Sequence, residues 1–102
     1  MKLTMRANKH LEFEQDVDQI LQDVKGMLLE KNRAYGDAAL NPVRIFSKAS
    51  SVEQILVRMD DKLSRIMRGQ GDNEDSVRDF LGYVVLLRIA EKRQAEKVSR
   101  EM

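Results

Sequence analysis

Apolar residues recur at steps of three and four along three stretches of the chain, which is the spacing that places them on one face of a helix. The stretches run from about residue 11 to 33, from about 52 to 68, and from about 72 or 73 to 98. No strand-type alternation or internal repeat stands out. The pattern predicts a single all-α domain over residues 1–102, with three main helices and a long loop between the first two.

Residue types at the ends of these stretches agree with this division. Gly36 is expected to end the first helix, because glycine readily takes the left-handed conformation that stops one. Ser50 and Glu53 have capping-box spacing at the start of the second helix. Asp72 or Asn73 would cap the third helix. Residues 1–10 are expected to form an N-terminal extension, and residues 91–102 a solvated, charged helical tail.

The loop between the first two helices is about 15 residues long, and its apolar residues argue against disorder. Those residues are Ala38, Ala39, Leu40, Val43, Ile45 and Phe46. We expect the loop to pack over the helices, either as a purely structural cover or as the wall of a pocket.

The third helix is apolar nearly all the way round from Phe80 to Ala90. Two other helices of a small chain could hardly cover it, so we predict a homo-oligomer, a helical bundle in which this segment is buried between subunits. Gly82 inside the segment destabilises a helix by about 1 kcal/mol relative to alanine. A close helix crossing would explain this glycine; the alternative is that it is incidental.

The composition excludes several kinds of chemistry. The net charge is +1, which gives no bulk reason to expect nucleic-acid binding. The chain has no cysteine and a single histidine, His10, so a disulfide framework, a zinc–thiolate site or a site with several histidines is not expected within it. No membrane span and no signal peptide are recognised, and we expect a cytoplasmic protein.

Three cationic residues share one flank of the second helix: Arg58, Lys62 and Arg65. Their steps of four and three would let them clamp phosphate oxygens. The alternative is a network of solvated ion pairs with nearby carboxylates, such as that of Asp61.

Asp79 lies among apolar residues of the third helix and therefore needs a partner. An arginine or lysine of the second helix would serve. Mg²⁺ is the other candidate, because it binds carboxylate oxygens and keeps positions for water and phosphate. Asp75, one helical turn earlier, can face the same site, and Asp60 or Asp61 could add a ligand.

Three segments together resemble a known family: EKNRAYGD, RMDDKLSRI and EDSVRDFLGYVVLL. Their order and spacing, over about residues 28 to 90, are similar to the small phage and prophage domains called nucleotide modification associated domain 1. That family in turn resembles the MazG-type nucleoside triphosphate pyrophosphohydrolases, which are all-α oligomers that use Mg²⁺.

The resemblance implies a Mg²⁺-dependent nucleotide pyrophosphohydrolase in the cytoplasm of a phage host. Asp61 and Asp79 would be catalytic, and Asp61, Asp75 and Asp79 would hold the metal. The implied residues for ligand and phosphate are Lys31, Tyr35, Arg58, Lys62, Arg65 and Tyr83.

Two other functions stay open. The first helix lacks the E-x-x-E pair of the MazG-type enzymes, which favours a protein that binds and sequesters a nucleotide, linear or cyclic, without cleaving it. The apolar third helix is also compatible with a helical inhibitor of a host protein.

Overall fold

Three helices follow one another in the computed structural model of the protein: α1 (Lys2–Tyr35), α2 (Ser51–Arg68) and α3 (Ser76–Glu101). The structure describes residues 2–42, 44–69 and 75–101, with side chains from residue 8 onward. No strand occurs in these ranges, so the all-α prediction is confirmed. None of the described helices is long and apolar enough to cross a bilayer.

Two helices are longer than their apolar patterns predicted. α1 begins at Lys2, so the expected N-terminal extension is helical from Lys2 onward, and α3 continues to Glu101. The added residues are mostly polar, with many good helix formers such as Lys, Arg, Glu and Ala. Because a helix without an apolar face leaves no periodic signal, the pattern could not show these ends.

The helix ends depend on particular side chains. Ser50 Oγ accepts a hydrogen bond from the backbone N–H of Glu53 at 3.1 Å, and Gly69 closes α2 with φ of 67°. Asp75 Oδ1 accepts from the backbone N–H of Arg78 at 3.0 Å, so Asp75 is the N-cap of α3 and the helix begins at Ser76. The predicted start, at residue 72 or 73, lies outside the described residues.

The loop after α1 packs against the helices in part, and Val43, which was also expected to pack, lies outside the described residues. Gly36, with φ of 65°, turns the chain as predicted, and Leu40 is buried against α2 and α3. Ser51 Oγ donates to the carbonyl of Leu40 at 2.7 Å and holds it there. Ile45 and Phe46 are exposed, Phe46 by 98%, so the expected packing is wrong for them. The reason is that Arg44 bonds back to Ala49 and Ser51, which turns this short segment outward.

α2 and α3 pack together around Ile55, which is 1% exposed, and Ala90. Val52, Met59, Tyr83, Leu86, Leu87 and Ile89 surround this pair. α1 crosses α3 at Gly82, where an added Cβ would lie 2.7 Å from Met27 Cε and 3.4 Å from Leu28 Cδ2. The close crossing predicted for Gly82 is therefore confirmed.

α1 and α3 are also joined by an ion pair beside the crossing. The Arg78 guanidinium donates to both carboxylate oxygens of Asp23 at 2.8 Å. This hydrogen bonding lowers the pKa of Asp23 below its ordinary value of 3.8 and raises the pKa of Arg78. Both side chains are open to solvent, so the pair orients α1 more than it stabilises the fold.

The contacts at Gly82 predict that its replacement by a larger residue loosens α1 from α3. Gly82→Val should lower the free energy of unfolding by about 1 kcal/mol, because its branched side chain would push aside the flexible ends of Met27 and Leu28. Gly26→Val is the matched control: a Cβ there meets nothing within 4 Å. It should change stability by less than about 0.5 kcal/mol. Urea unfolding of the three proteins measures this, and equal losses at both positions would contradict it.

The Asp23–Arg78 pair predicts a pH-dependent contribution to stability. Because the folded pKa of Asp23 lies below the unfolded value of 3.8, the contribution is complete above that value. It is lost as the pH falls through the folded pKa. The difference in melting temperature between the natural protein and Asp23→Asn should therefore be present at neutral pH and shrink in acid. Glu91→Gln, which removes the exposed partner of Arg88 within α3, is the control and should change little.

Candidate functional site

A cavity of about 630 Å³ lies between the C-terminal part of α1, the turn that follows it, and the facing sides of α2 and α3. α1 forms one wall because it crosses α3 at Gly82, and α2 contributes the opposite side through Arg58. Its apolar wall includes Met27, Leu28, Leu29, Leu40, Leu86 and Ile89.

Five of the nine residues predicted for the site line this cavity: Lys31, Tyr35, Arg58, Asp79 and Tyr83. They come from all three helices and lie up to 52 positions apart in the chain. The structure therefore brings together the central residues of all three motifs.

Asp79 is paired with two lysines from different helices. Its Oδ2 lies 3.2 Å from Nζ of Lys62 on α2, and its Oδ1 lies 3.5 Å from Nζ of Lys31 on α1. The side chains of Asp79 and Lys62 are only 18% and 14% exposed, so their charges are partly shielded from water. Of the two partners expected for Asp79, the basic side chain from the second helix is confirmed.

The remaining predicted residues face other partners. Asp61 pairs with Arg65 one turn along α2, at 3.3 Å. Asp75 caps α3 through its Oδ1. Among the described residues, no three histidine or acidic side chains come together as a metal-binding group. Asp61, Asp75 and Asp79 are thus not grouped together, and Mg²⁺ stays a prediction.

A second ionic cluster at the cavity was not predicted. Asp37 accepts hydrogen bonds from Nδ2 of Asn32 at 3.1 Å and from Nδ2 of Asn41 at 3.0 Å. Arg93 on α3 donates to the same carboxylate at 3.0 Å. The helical step from Leu86 through Ile89 to Arg93 could have revealed that Arg93 shares their face. The charge pattern of residues 91–102 instead predicts a solvated tail that includes Arg93.

Arg58 differs from the other cations of the wall. Lys31 is paired with Asp79 and Arg93 with Asp37, whereas no carboxylate in the described part of the chain pairs with Arg58. Three cations and two carboxylates line the cavity, and Lys62 also pairs with Asp79, so the positive charges outnumber the negative ones. The wall can therefore accept an anion.

Neither a protein-family model, nor a curated protein, nor a solved structure matches the chain. The resemblance to the phage domains therefore rests on the residues of the three motifs.

The shielding of the Asp79 cluster predicts unequal effects for two similar substitutions. Asp79→Asn should lower the free energy of unfolding by roughly 1–2 kcal/mol, because the partly buried Lys62 loses a charged partner. Asp61→Asn removes a carboxylate from an exposed pair within one helix and should lower it by less than about 0.5 kcal/mol. Chemical denaturation at neutral pH measures both, and a larger loss for Asp61→Asn would contradict the assignment.

Proposed function

We propose that this protein binds a nucleotide in the cavity between its three helices. The observation that carries the proposal is that one cavity of about 630 Å³ collects Lys31, Arg58 and Arg93 together with Tyr35 and Tyr83. Ligand cavities of small molecules fall in the range of roughly 300–1,000 Å³. A nucleotide combines the two features that this wall is suited to hold, a multiply charged anion and a flat ring.

The phosphates would lie against Arg58, whose guanidinium presents a fork of donors and has no competing carboxylate among the described residues. Lys31 and Arg93 would also contact the phosphates, each by moving away from the carboxylate with which it is now paired. Charge-assisted hydrogen bonds of this kind are roughly twice as strong as neutral ones.

The base would lie against the aromatic and apolar part of the wall. Tyr83 is half-buried and packs on the core, so its ring is a fixed surface. Tyr35 is exposed at the end of α1 and can close over a ring placed against Tyr83. The amide of Asn32, between Lys31 and the turn, supplies polar contacts for a base edge or a sugar.

Of the two nucleotide functions, capture of the intact ligand fits the described side chains better. Binding needs only the cations, the rings and the apolar wall. It is also the function suggested by the absence of an E-x-x-E pair from the first helix. We propose it for a phage-type protein, with linear and cyclic nucleotides as the candidate ligands.

Mg²⁺-dependent hydrolysis between the α- and β-phosphates is the second candidate. It is favoured by the position of Asp79, the one predicted catalytic residue in the cavity wall. Asp79 would have to exchange two lysines for the metal, and further carboxylates would have to join it.

The test is isothermal titration of the protein with linear and cyclic nucleotides, with and without Mg²⁺, followed by chromatography of the recovered ligand. Tight binding with the ligand returned intact would support capture. Conversion of a triphosphate to a monophosphate in Mg²⁺ would establish the enzyme instead. If no nucleotide binds, both proposals fail, and a helical inhibitor of a host protein becomes the leading hypothesis.

The variant Arg58→Met would measure how much the proposed contact between Arg58 and the phosphates contributes to nucleotide binding. Loss of one charge-assisted contact of about 1.5–3 kcal/mol should weaken nucleotide binding by roughly tenfold to a hundredfold. Arg68→Met is the matched control, since it removes the same charge from the exposed last turn of α2, away from the cavity wall. Equal weakening by both variants would show that overall charge, and not the cavity, attracts the ligand.

A further inference from the structure

The cavity follows one face of α3, with a charged residue at each end of that face. The lining residues of this helix are Asp79, Gly82, Tyr83, Leu86, Ile89 and Arg93. Because each residue advances a helix by about 1.5 Å, Asp79 and Arg93 stand about 21 Å apart along the axis of α3. The residues between them are aromatic, apolar or glycine, so charge is divided between the two ends of the wall.

One end of the cavity lies at Asp79. Nζ of Lys31 is 3.5 Å from its carboxylate, and Nζ of Lys62 on α2 is 3.2 Å from it. Arg58, which also lines the cavity, is four positions before Lys62 on α2, or about 6 Å along that helix. Lys31 and Arg58 are therefore close enough to contact one phosphate group or two neighbouring ones.

The other end is fixed by the turn after α1. Leu40 in this turn is buried in one cluster with Ala90 of α3, and its N–H donates to the carbonyl of Asp37 at 3.0 Å. Asp37 is thereby held beside the later part of α3, where Arg93 donates to its carboxylate at 3.0 Å. A phosphate that contacts Arg93 is therefore separated by the apolar part of the wall from one at the Asp79 end.

The cations of the two ends can both turn to a ligand without leaving a carboxylate unpaired. If Lys31 does so, Asp79 keeps its contact with Lys62. If Arg93 does so, Asp37 keeps its hydrogen bonds to two asparagine amides. The side chains of Lys31 and Arg93 are each 54% exposed, so an anion can reach them without opening the core.

We infer, on the basis of the proposed nucleotide site, that its ligand carries phosphates on both sides of the nucleoside, on the 5′ and the 3′ oxygen. The 5′ phosphate lies against Lys31 and Arg58, the base against Tyr83, and the 3′ phosphate against Arg93. A nucleoside 5′-triphosphate has all its charge on one side of the ring and cannot use both ends of the wall in this way. The two-sided unit occurs as a free nucleoside 3′,5′-bisphosphate and within a short linear oligonucleotide.

The test compares ligands that have the same base and the same number of phosphates. The full chain is titrated with nucleoside 3′,5′-bisphosphates and with the matching 5′-diphosphates, for each of the four common bases. The bisphosphate that binds best should bind roughly tenfold more tightly than its 5′-diphosphate, because it adds a charge-assisted contact at the far end. A 5′-phosphorylated linear dinucleotide contains the same unit. Tighter binding of the dinucleotide would assign the unit to an oligonucleotide, and weaker binding would assign it to the free bisphosphate.

Variants on α3 and its partner show whether Arg93 causes the preference. Arg93→Met should weaken binding of the bisphosphate roughly tenfold more than binding of the 5′-diphosphate. Arg88→Met is the matched control and should leave the preference unchanged, since Arg88 pairs with Glu91 outside the cavity wall. Asp37→Asn should strengthen binding of the bisphosphate, because it removes the competitor for Arg93. Circular dichroism would show that the variants remain helical.

Three results would overturn the inference. A 5′-diphosphate that binds as tightly as the bisphosphate, with no change in their ratio on Arg93→Met, would indicate a one-sided ligand and leave the proposed nucleotide site intact. Equal weakening of the bisphosphate by Arg93→Met and Asp37→Asn would show that the pair acts through the fold and not through contact with the ligand. If no nucleotide of either kind binds, the proposed function fails together with the inference.

Discussion

The close approach of α1 to α3 at Gly82 is the contact on which the candidate site depends. Met27 and Leu28 lie where a side chain of residue 82 would otherwise be. This contact sets the angle and the distance at which α1 leaves the α2–α3 pair, and the space left on one side is the cavity. Lys31 and Tyr35, one and two turns beyond the crossing, reach that space because the helix is held there. The salt bridge from Arg78 to Asp23 lies on α1 one turn before Met27 and limits its rotation.

Charge in the cavity is organised around two carboxylates, each shared by more than one element. Asp79 holds lysines from α1 and α2, and Asp37 holds Arg93 of α3 and the amides that flank the turn. These contacts join all three helices where the hydrophobic core is thin. Polar contacts therefore both fix the fold here and form the wall that would receive a ligand. For that reason a substitution in the wall must be judged on stability as well as on binding.

The sequence predicted the fold class, the cap at Ser50, the turn at Gly36 and five residues that meet in one cavity, because apolar spacing and short-range signals determine them. It could not predict the polar start of α1, which has no apolar face, or the outward turn at Phe46, which depends on bonds made by Arg44. Asp75 shows a different limit. Its spacing from Asp79 suits a shared site, yet the same residue is a good helix cap, and only the structure shows that it caps α3.

The pairing of the cavity cations would affect which anions the proposed site selects. Lys31 and Arg93 are already paired with Asp79 and Asp37. An anion that enters the cavity must therefore displace these carboxylates before it can pair with the two cations. A singly charged ion such as chloride can engage Arg58 but offers too little to displace the other two. An anion with several negative charges could pair with both cations and replace both carboxylates at once. Asp79 and Asp37 would thus favour the binding of polyvalent anions over that of the monovalent anions that are abundant in a cell.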